Sequence, residues 1–133
     1  MSIDWHADVM EFHRKFCPQL IGTARVGFAY RTADIMRWNL IEEEFGELDR
    51  AWVNDDIEGF ADAIGDLIYV LIGHAITSGI DMRPIWDAIH AANMAKEGGH
   101  RREDGKVLKP PGWVAPDIAG VLDRQPRLTV EAP

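Results

Sequence analysis

Apolar residues recur with a helical period along most of the chain. The first stripe predicts a helix near the amino terminus and comprises Trp5, Val9, Phe12 and Phe16. Pro18 ends this helix, because proline cannot continue one. Residues 17–31 are therefore predicted to form a loop.

A long second helix is predicted over residues 33–53 and a third over residues 57–78. The third helix is apolar on nearly all sides, so we expect it to be buried in a larger core or against a partner chain. Its apolar stretch is shorter than the roughly 20 residues of a membrane span and contains Asp66 and His74. We therefore interpret it as a core helix and expect no membrane association.

A fourth helix is predicted to open at Asp81 and Pro84 and to close before Gly98. Beyond it lie a turn at Asp104-Gly105, a rigid loop and a short helical stretch at residues 117–124. No strand pattern of any length is present. The predicted fold class is all-α, with four main helices and a carboxyl-terminal basic loop. We expect a single domain over residues 1–125 and a disordered tail over residues 126–133.

Length and charge restrict the class of protein. With 133 residues the chain is one domain by size, and its net charge of -8 disfavours non-specific binding to nucleic acid or to anionic membranes. Cys17 is the single cysteine, so no intramolecular disulfide can form. The amino-terminal residues lack a signal-peptide pattern, and we expect a cytoplasmic protein.

Acidic residues on the second and third helices are the main candidates for chemistry. At about 100° per residue, Glu43, Glu44 and Glu47 share one edge of the second helix, with Glu44 bordering the apolar stripe. Asp62 and Asp66 lie one turn apart on the third helix. Unpaired carboxylates in such a setting would repel and be costly to desolvate, whereas a bound divalent cation removes both problems. Oxygen ligands favour Mg²⁺, with Mn²⁺ possible.

Two other interpretations of these acids stay open. The acidic run could be a solvated helix face, as most charge runs are. A di-iron bundle would require Glu-x-x-His on two helices, and the nearest spacing is the single pair Asp87 and His90.

A basic segment follows the fourth helix. Five basic residues, Lys96, Arg101, Arg102, Lys106 and Lys109, stand against three acids, Glu97, Glu103 and Asp104, which gives a local charge of +2. Asn93 and Lys96 are three residues apart and face the same way. A substrate with several phosphates would require such a segment near a metal site, although an ordinary surface loop is the alternative.

These motifs together resemble the MazG-like, all-α nucleoside triphosphate pyrophosphatase superfamily. The resemblance rests on Glu43-Glu44-x-x-Glu47, on Asp66-Leu-Ile-Tyr-Val and on Asn93-x-x-Lys96. The tail Arg102-x-Asp104-Gly105-Lys106-x-x-Lys109-Pro110-x-Gly112-Trp113 is closest to the dUTP pyrophosphatase branch. Phosphoribosyl-ATP pyrophosphohydrolases are related to the same group.

The resemblance implies an activity and roles for these residues. Mg²⁺ would be held by Glu44, Glu47 and Asp66, and Glu43 would position or deprotonate the attacking water. Asn93, Lys96 and the basic loop would bind the phosphates of a nucleotide such as dUTP, and the products would be a nucleoside monophosphate and pyrophosphate. Members assemble as dimers or dimers of dimers. From their residue type, Trp38, Tyr69 and Trp113 are candidates for stacking on the base, although aromatic residues at helical spacing are more often core residues.

The sequence departs from the family pattern at one position. The second motif usually begins with a glutamate where this chain has Ala63, and we expect Asp62 to substitute as a metal ligand. Two alternative functions remain: phosphoribosyl-ATP pyrophosphohydrolase, and a catalytically inert helical module for regulation or assembly.

Overall fold

The structure is a computed structural model that describes residues 3–28 and 31–133. Its helices are α1 (Trp5–Phe16), α2 (Arg31–Val53), α3 (Ile57–Thr77), α4 (Met82–Met94) and α5 (Ile118–Arg124). A 3₁₀ turn at Pro18–Leu20 lies inside the predicted loop. Within the described residues, the only β-type pairing is an isolated antiparallel bridge between Arg101 and Val107. The all-α prediction is confirmed, and the observed helix boundaries lie within a few residues of the predicted ones.

Aspartates begin three of the helices. Asp4, Asp56 and Asp117 each accept a hydrogen bond from a backbone N–H in the first turn of α1, α3 and α5, at 2.9, 3.0 and 3.0 Å. These side chains satisfy N–H groups that have no partner within the helix. Their negative charge also suits the positive end of the helix dipole.

The two long helices, α2 and α3, form an antiparallel hairpin and make the most extensive contact between helices. Residues 54–56 connect them, with Asp55 at a φ of 54°. The Asn54 amide donates to the carbonyl of Arg50 over 2.8 Å and closes the end of α2. Residues equally far from this turn therefore face each other across the hairpin.

A small apolar core lies where α1 meets α3. Val9 and Met10 of α1 pack with Ile21 and Ile76, and Ile76 has no exposed surface. Leu128 is half-buried against this cluster. The end of the chain, for which the sequence offered little reason for order, thus contributes a contact to the core.

A buried polar group links α1, α2 and α3 next to this core. Arg37 is 6% exposed, and its Nε donates to the hydroxyl of Thr77 over 3.0 Å. A second guanidinium nitrogen bonds Nε2 of His13, whose Nδ1 lies 2.8 Å from the carbonyl of Val9. Burial lowers the pKa of His13, with smaller contributions in the same direction from Arg37 and His6.

Contacts between residues group the chain into two compact units, and the single domain expected over residues 1–125 stays a prediction. Unit 1 is Met1–Asp81 with Pro126–Pro133, and unit 2 is Met82–Gln125. Unit 1 contains α1 to α3, and unit 2 contains α4 and α5, which contact each other.

Large apolar side chains remain exposed on the hairpin. Phe45 and Trp52 of α2 are 61% and 73% exposed, and Leu71 of α3 is 48% exposed. In the single chain α1 and α2 thus cover only part of α3, and its burial against a partner chain stays a prediction. By length and composition alone, α3 could also cross a membrane, a test that core helices of soluble proteins pass as well.

Candidate active site

The hairpin brings acids of α2 and α3 close enough for their charges to interact. Glu44 and Asp66 are almost equally distant from the turn, on α2 and α3. The pKa of Glu44 is raised, first by desolvation and then by the negative charges of Glu47, Asp66 and Glu43. Three of the other four predicted acids therefore lie near enough to Glu44 to act on it.

The surroundings of Glu44 are unfavourable for a charged carboxylate. Its Oε2 is buried and has no hydrogen-bond partner among the described residues. A buried carboxylate oxygen without a donor is costly, and its acidic neighbours add repulsion. A cation is the group that would relieve both effects.

Asp62 lies in a different position from Asp66. Asp62 and Glu47 line an open cleft of about 340 Å³ near the connection between α2 and α3, and its other lining residues are Arg50, Ala51, Asn54, Asp56 and Gly59. Asp62 is not among the acids that raise the pKa of Glu44. Ala63, where the family pattern has glutamate, is 2% exposed.

The side chains of the five acids are not already arranged as a metal cage. Across residues 3–28 and 31–133, no three acidic, histidine or cysteine side chains converge closely enough to hold a metal ion. The Glu44 neighbourhood supplies negative charge and an unpaired oxygen. Side-chain rotations on exposed Glu43, Glu47 and Asp66 would have to bring the remaining ligands in.

Within unit 2, Asn93, Lys96, Lys109 and Trp113 form a group at the end of α4. Lys96 Nζ donates to the side-chain oxygen of Asn93 over 2.9 Å. Lys96 Nζ and Lys109 Nζ lie 5.5 and 4.8 Å from the centre of the Trp113 ring. The Trp113 indole N–H donates to the carbonyl of Ala92 over 2.7 Å. The structure thus brings together four of the residues predicted to bind substrate.

The other basic residues of the segment are engaged within their own turn or exposed. Arg102 forms an ion pair with Asp104, which lowers the pKa of Asp104 and raises that of Arg102. Arg101 donates to the carbonyl of Gly105 over 3.2 Å. Lys106 places its backbone N–H 3.2 Å from the Asp104 carboxylate and leaves its side chain exposed. Arg101 and Arg102 therefore have structural partners besides any substrate.

Tyr69 belongs to unit 1, where it contacts an aromatic residue of α1. Its ring meets that of Phe12 edge-on, with centroids 5.8 Å apart. Burial raises the pKa of its hydroxyl, and Asp8 and Glu11 raise it further. The ring is held on α1 by this contact, and its role toward substrate stays a prediction.

Two features of the structure had no counterpart in the predicted site. Arg50 lines the acidic cleft, and its position one turn after Glu47 on α2 was a signal that could have identified it. Arg37 and His13 form the buried polar group, and no spacing in the sequence pairs residues from different helices.

An all-α fold with acids on both helices of one hairpin agrees with the class that the motifs resemble, the all-α nucleotide pyrophosphohydrolases. The family model described as phosphoribosyl-ATP pyrophosphohydrolase matches residues 9–93, about two thirds of the chain. The chain belongs to this family, which confirms the relationship inferred from its motifs. Family membership implies a hydrolase that acts on pyrophosphate bonds of nucleotides. A comparison with curated proteins found no significant match.

Proposed function

We propose that the chain is a Mg²⁺-dependent nucleoside triphosphate pyrophosphatase, acting on dUTP or another non-standard nucleotide. The reaction adds water at the α-phosphorus and breaks its bond to the bridging oxygen, releasing a nucleoside monophosphate and pyrophosphate. The single observation that carries this proposal is Glu44, whose buried oxygen lacks a donor and whose pKa is raised by desolvation and by three neighbouring acids.

The residues around Glu44 fit a hard divalent cation. Glu44, Glu47 and Asp66 would hold Mg²⁺ or Mn²⁺ through oxygen ligands, and Asp62 would add a ligand from the side of the cleft. The bound cation would offset the negative charge of the phosphates and lower the pKa of coordinated water.

The chain's own groups would carry the remaining steps. Glu43, exposed beside Glu44 on α2, would accept the proton of the attacking water as general base. Asn93 and Lys96 would hold phosphate oxygens, and the basic residues that follow would add positive charge. The charge of the leaving pyrophosphate would be stabilised by these cationic side chains.

Phosphoribosyl-ATP is the second candidate substrate, because the matching family model carries that description. The match ends at residue 93, so Lys96, Lys109 and Trp113 lie outside it. These residues belong to the tail that resembles the dUTP pyrophosphatase branch, and for this reason we prefer a nucleoside triphosphate.

We further propose that a dimer, or a dimer of dimers, covers the apolar surface of the hairpin. Phe45, Trp52 and Leu71 are too exposed for a stable isolated helical unit. Size-exclusion chromatography with light scattering should give a mass of two or four chains. Replacing Leu71 by Asp should reduce that mass, and a monomeric wild type would refute this part of the proposal.

One assay tests the activity and separates the substrates. The protein is incubated with Mg²⁺ and with dUTP, the common dNTPs and NTPs, and phosphoribosyl-ATP, and products are separated by ion-exchange chromatography. We expect monophosphate and pyrophosphate from a nucleoside triphosphate, and no turnover by Glu44→Gln. Glu42→Gln is the matched control, since Glu42 lies in the same acidic run and its side chain accepts from Trp38 at 3.2 Å. Lack of turnover of every substrate with both Mg²⁺ and Mn²⁺ would refute the proposal.

A further inference from the structure

We propose that Trp113 is a positioning residue that holds Lys96 and Lys109 together as a binding site for the polyphosphate of the substrate, and that it does not stack on the base. This inference deepens the proposed function and rests on it for the identity of the substrate. The binding site itself lies within unit 2 and can be tested without turnover.

After α4 the chain forms a narrow hairpin in which residues 100–102 pair with residues 106–108. Leu108 donates its N–H to the carbonyl of His100 over 2.7 Å, and Arg102 donates to Lys106 over 2.8 Å. Arg101 and Val107 form the antiparallel bridge between them. This narrow hairpin brings residues just before it and just after it close together, and Lys96 and Lys109 occupy those places.

Gly99 allows this close return. A Cβ atom at residue 99 would lie 2.0 Å from the carbonyl oxygen of Leu108 and 3.0 Å from that of Lys96. Both are backbone atoms, which cannot rotate away. Only glycine therefore permits the approach of the two segments next to Lys96.

A tight turn then directs Trp113 back onto α4. The Trp113 N–H donates to the carbonyl of Pro110 over 3.1 Å, and Gly112 has a φ of 78°. Glycine at the third position with positive φ is typical of a type II turn. The indole N–H then bonds the carbonyl of Ala92, an acceptor at the end of α4 that lacks a complete helical partner.

Two ammonium groups share this anchored ring. From their distances to the ring centre, the Lys96 and Lys109 nitrogens lie within about 10 Å of each other. Neither has a carboxylate partner among the described residues, while Arg102 in the same segment is paired with Asp104. The ring attracts both cations through its negative face but supplies no full counter-charge. An anion with several charged oxygens, such as a chain of phosphates, supplies it.

The same contacts argue against base stacking by Trp113. Stacking requires an open aromatic face, whereas this ring is half-buried, fixed by its N–H and approached by two lysines. A nucleotide would therefore be bound here through phosphates, and selection of the base would depend on other residues.

The test is calorimetric titration of the full chain with inorganic tripolyphosphate in metal-free buffer. We expect binding by the wild type, weakened roughly tenfold or more by Lys96→Gln and by Lys109→Gln. Trp113→Leu should weaken binding at least as much as either lysine change, because both cations lose their support. Trp113→Phe keeps an aromatic face and should restore part of the affinity. Lys15→Gln is the matched control, since Lys15 lies over the ring of Phe16 at 5.1 Å on α1.

Circular dichroism of each variant separates loss of binding from loss of fold, and Trp113→Phe decides the case if Trp113→Leu does not fold. Absence of tripolyphosphate binding by the wild type would overturn the proposal. The proposal would also be overturned if Lys109→Gln and Trp113→Phe both kept the wild-type affinity for tripolyphosphate while Trp113→Phe bound a phosphate-free nucleoside more weakly. That result would indicate that Trp113 stacks on the base. If tripolyphosphate binds but no nucleotide is hydrolysed, the proposed function is refuted, whereas the proposed phosphate-binding site is not.

Discussion

The guanidinium of Arg37 on α2 bonds Nε2 of His13 on α1 in a buried part of unit 1. His13 Nδ1 faces the carbonyl of Val9, so Nδ1 carries the proton and Nε2 offers a lone pair to the arginine. This arrangement requires a neutral histidine. A protonated His13 would place two cations in contact within a buried region.

The stability of the protein should therefore fall in mild acid. The folded state lowers the pKa of His13 mainly through burial, with smaller contributions from Arg37 and His6 and an opposing one from the hydrogen bond to Val9. Unfolded His13 takes up a proton below about pH 6.5, so stability is complete above that pH and declines below it. One such group changes the unfolding free energy by at most about 1.4 kcal/mol per pH unit. Urea unfolding between pH 8 and pH 5 measures the slope.

His13→Gln is the informative variant for this effect. Glutamine offers Arg37 an oxygen acceptor and does not titrate in this range, so the decline between pH 7 and pH 5 should become shallower. An identical pH profile in the variant and the wild type would show that His13 is not the group responsible.

Glu44→Gln should stabilise the metal-free protein while it abolishes hydrolysis. Desolvation and three neighbouring acids raise the pKa of Glu44, so its ionised form is unfavourable in the folded state at neutral pH and the folded state regains stability as the pH falls. Because the side chain is partly exposed, the gain should be no more than about 1 kcal/mol. Thermal unfolding in chelator measures it, and a lower melting temperature for Glu44→Gln would contradict the expectation.

With added Mg²⁺, the wild type should become more stable than Glu44→Gln. A ligand that binds only the folded state raises its stability, so Mg²⁺ should raise the melting temperature of the wild type and leave Glu44→Gln unchanged. Equal shifts in both proteins would place the metal elsewhere.

Asp66 and Asp62 should differ in their importance. Asp66 acts on Glu44, whereas Asp62 lines the cleft with Glu47. We expect Asp66→Asn to lose at least about 100-fold in kcat/KM, or roughly 2.7 kcal/mol of transition-state stabilisation. Asp62→Asn should lose about tenfold and recover at higher Mg²⁺ concentration. If Asp62→Asn leaves both activity and metal affinity unchanged, Asp62 does not replace the glutamate missing at Ala63.

Two glycines should respond to alanine in opposite directions. A Cβ at Gly22 would meet the backbone of Gly79 and Thr77 at 2.5 Å, so Gly22→Ala should destabilise by about 2 kcal/mol or more. A Cβ at Gly65, in the interior of α3, would meet nothing within 4 Å of the single chain. Gly65→Ala should stabilise that helix by about 0.5–1 kcal/mol.

The direction of the stability change in Gly65→Ala also tests whether the protein forms an oligomer. If a second copy packs closely on this part of α3, the added methyl group will destabilise the oligomer instead. Chemical unfolding at several protein concentrations distinguishes the two results, because only an oligomer shows concentration dependence.

The sequence predicted local features well and contacts between distant residues poorly. Helical periodicity located α1 to α4, and the short helical stretch expected at residues 117–124 corresponds to α5. The edge shared by Glu43, Glu44 and Glu47 followed from helix geometry alone. The approach of Asp66 to Glu44 depends also on the short connection at residues 54–56, which makes α2 and α3 a hairpin.

The remaining features depend on packing that no spacing encodes. Asp62 and Asp66 project from one face of α3, yet Asp62 lies toward the cleft because the hairpin places it closer to the turn. The role of Trp113 depends on a hairpin, a turn and the end of α4 meeting in space. We expected α3 to be buried in a larger core or against a partner chain, and the chain by itself leaves much of that helix exposed.

Leu128 gives the chain an unusual connectivity. The backbone leaves unit 1 after Asp81 and re-enters it at Pro126, and Leu128 then packs on the core that α1 builds near the start of the described chain. Both ends of unit 1 therefore meet at one apolar cluster. Joining the amino and carboxyl termini of the chain with a short linker and opening the chain at an exposed loop should give a circular permutant that folds. Removing the residues from Leu128 onward would instead expose the core.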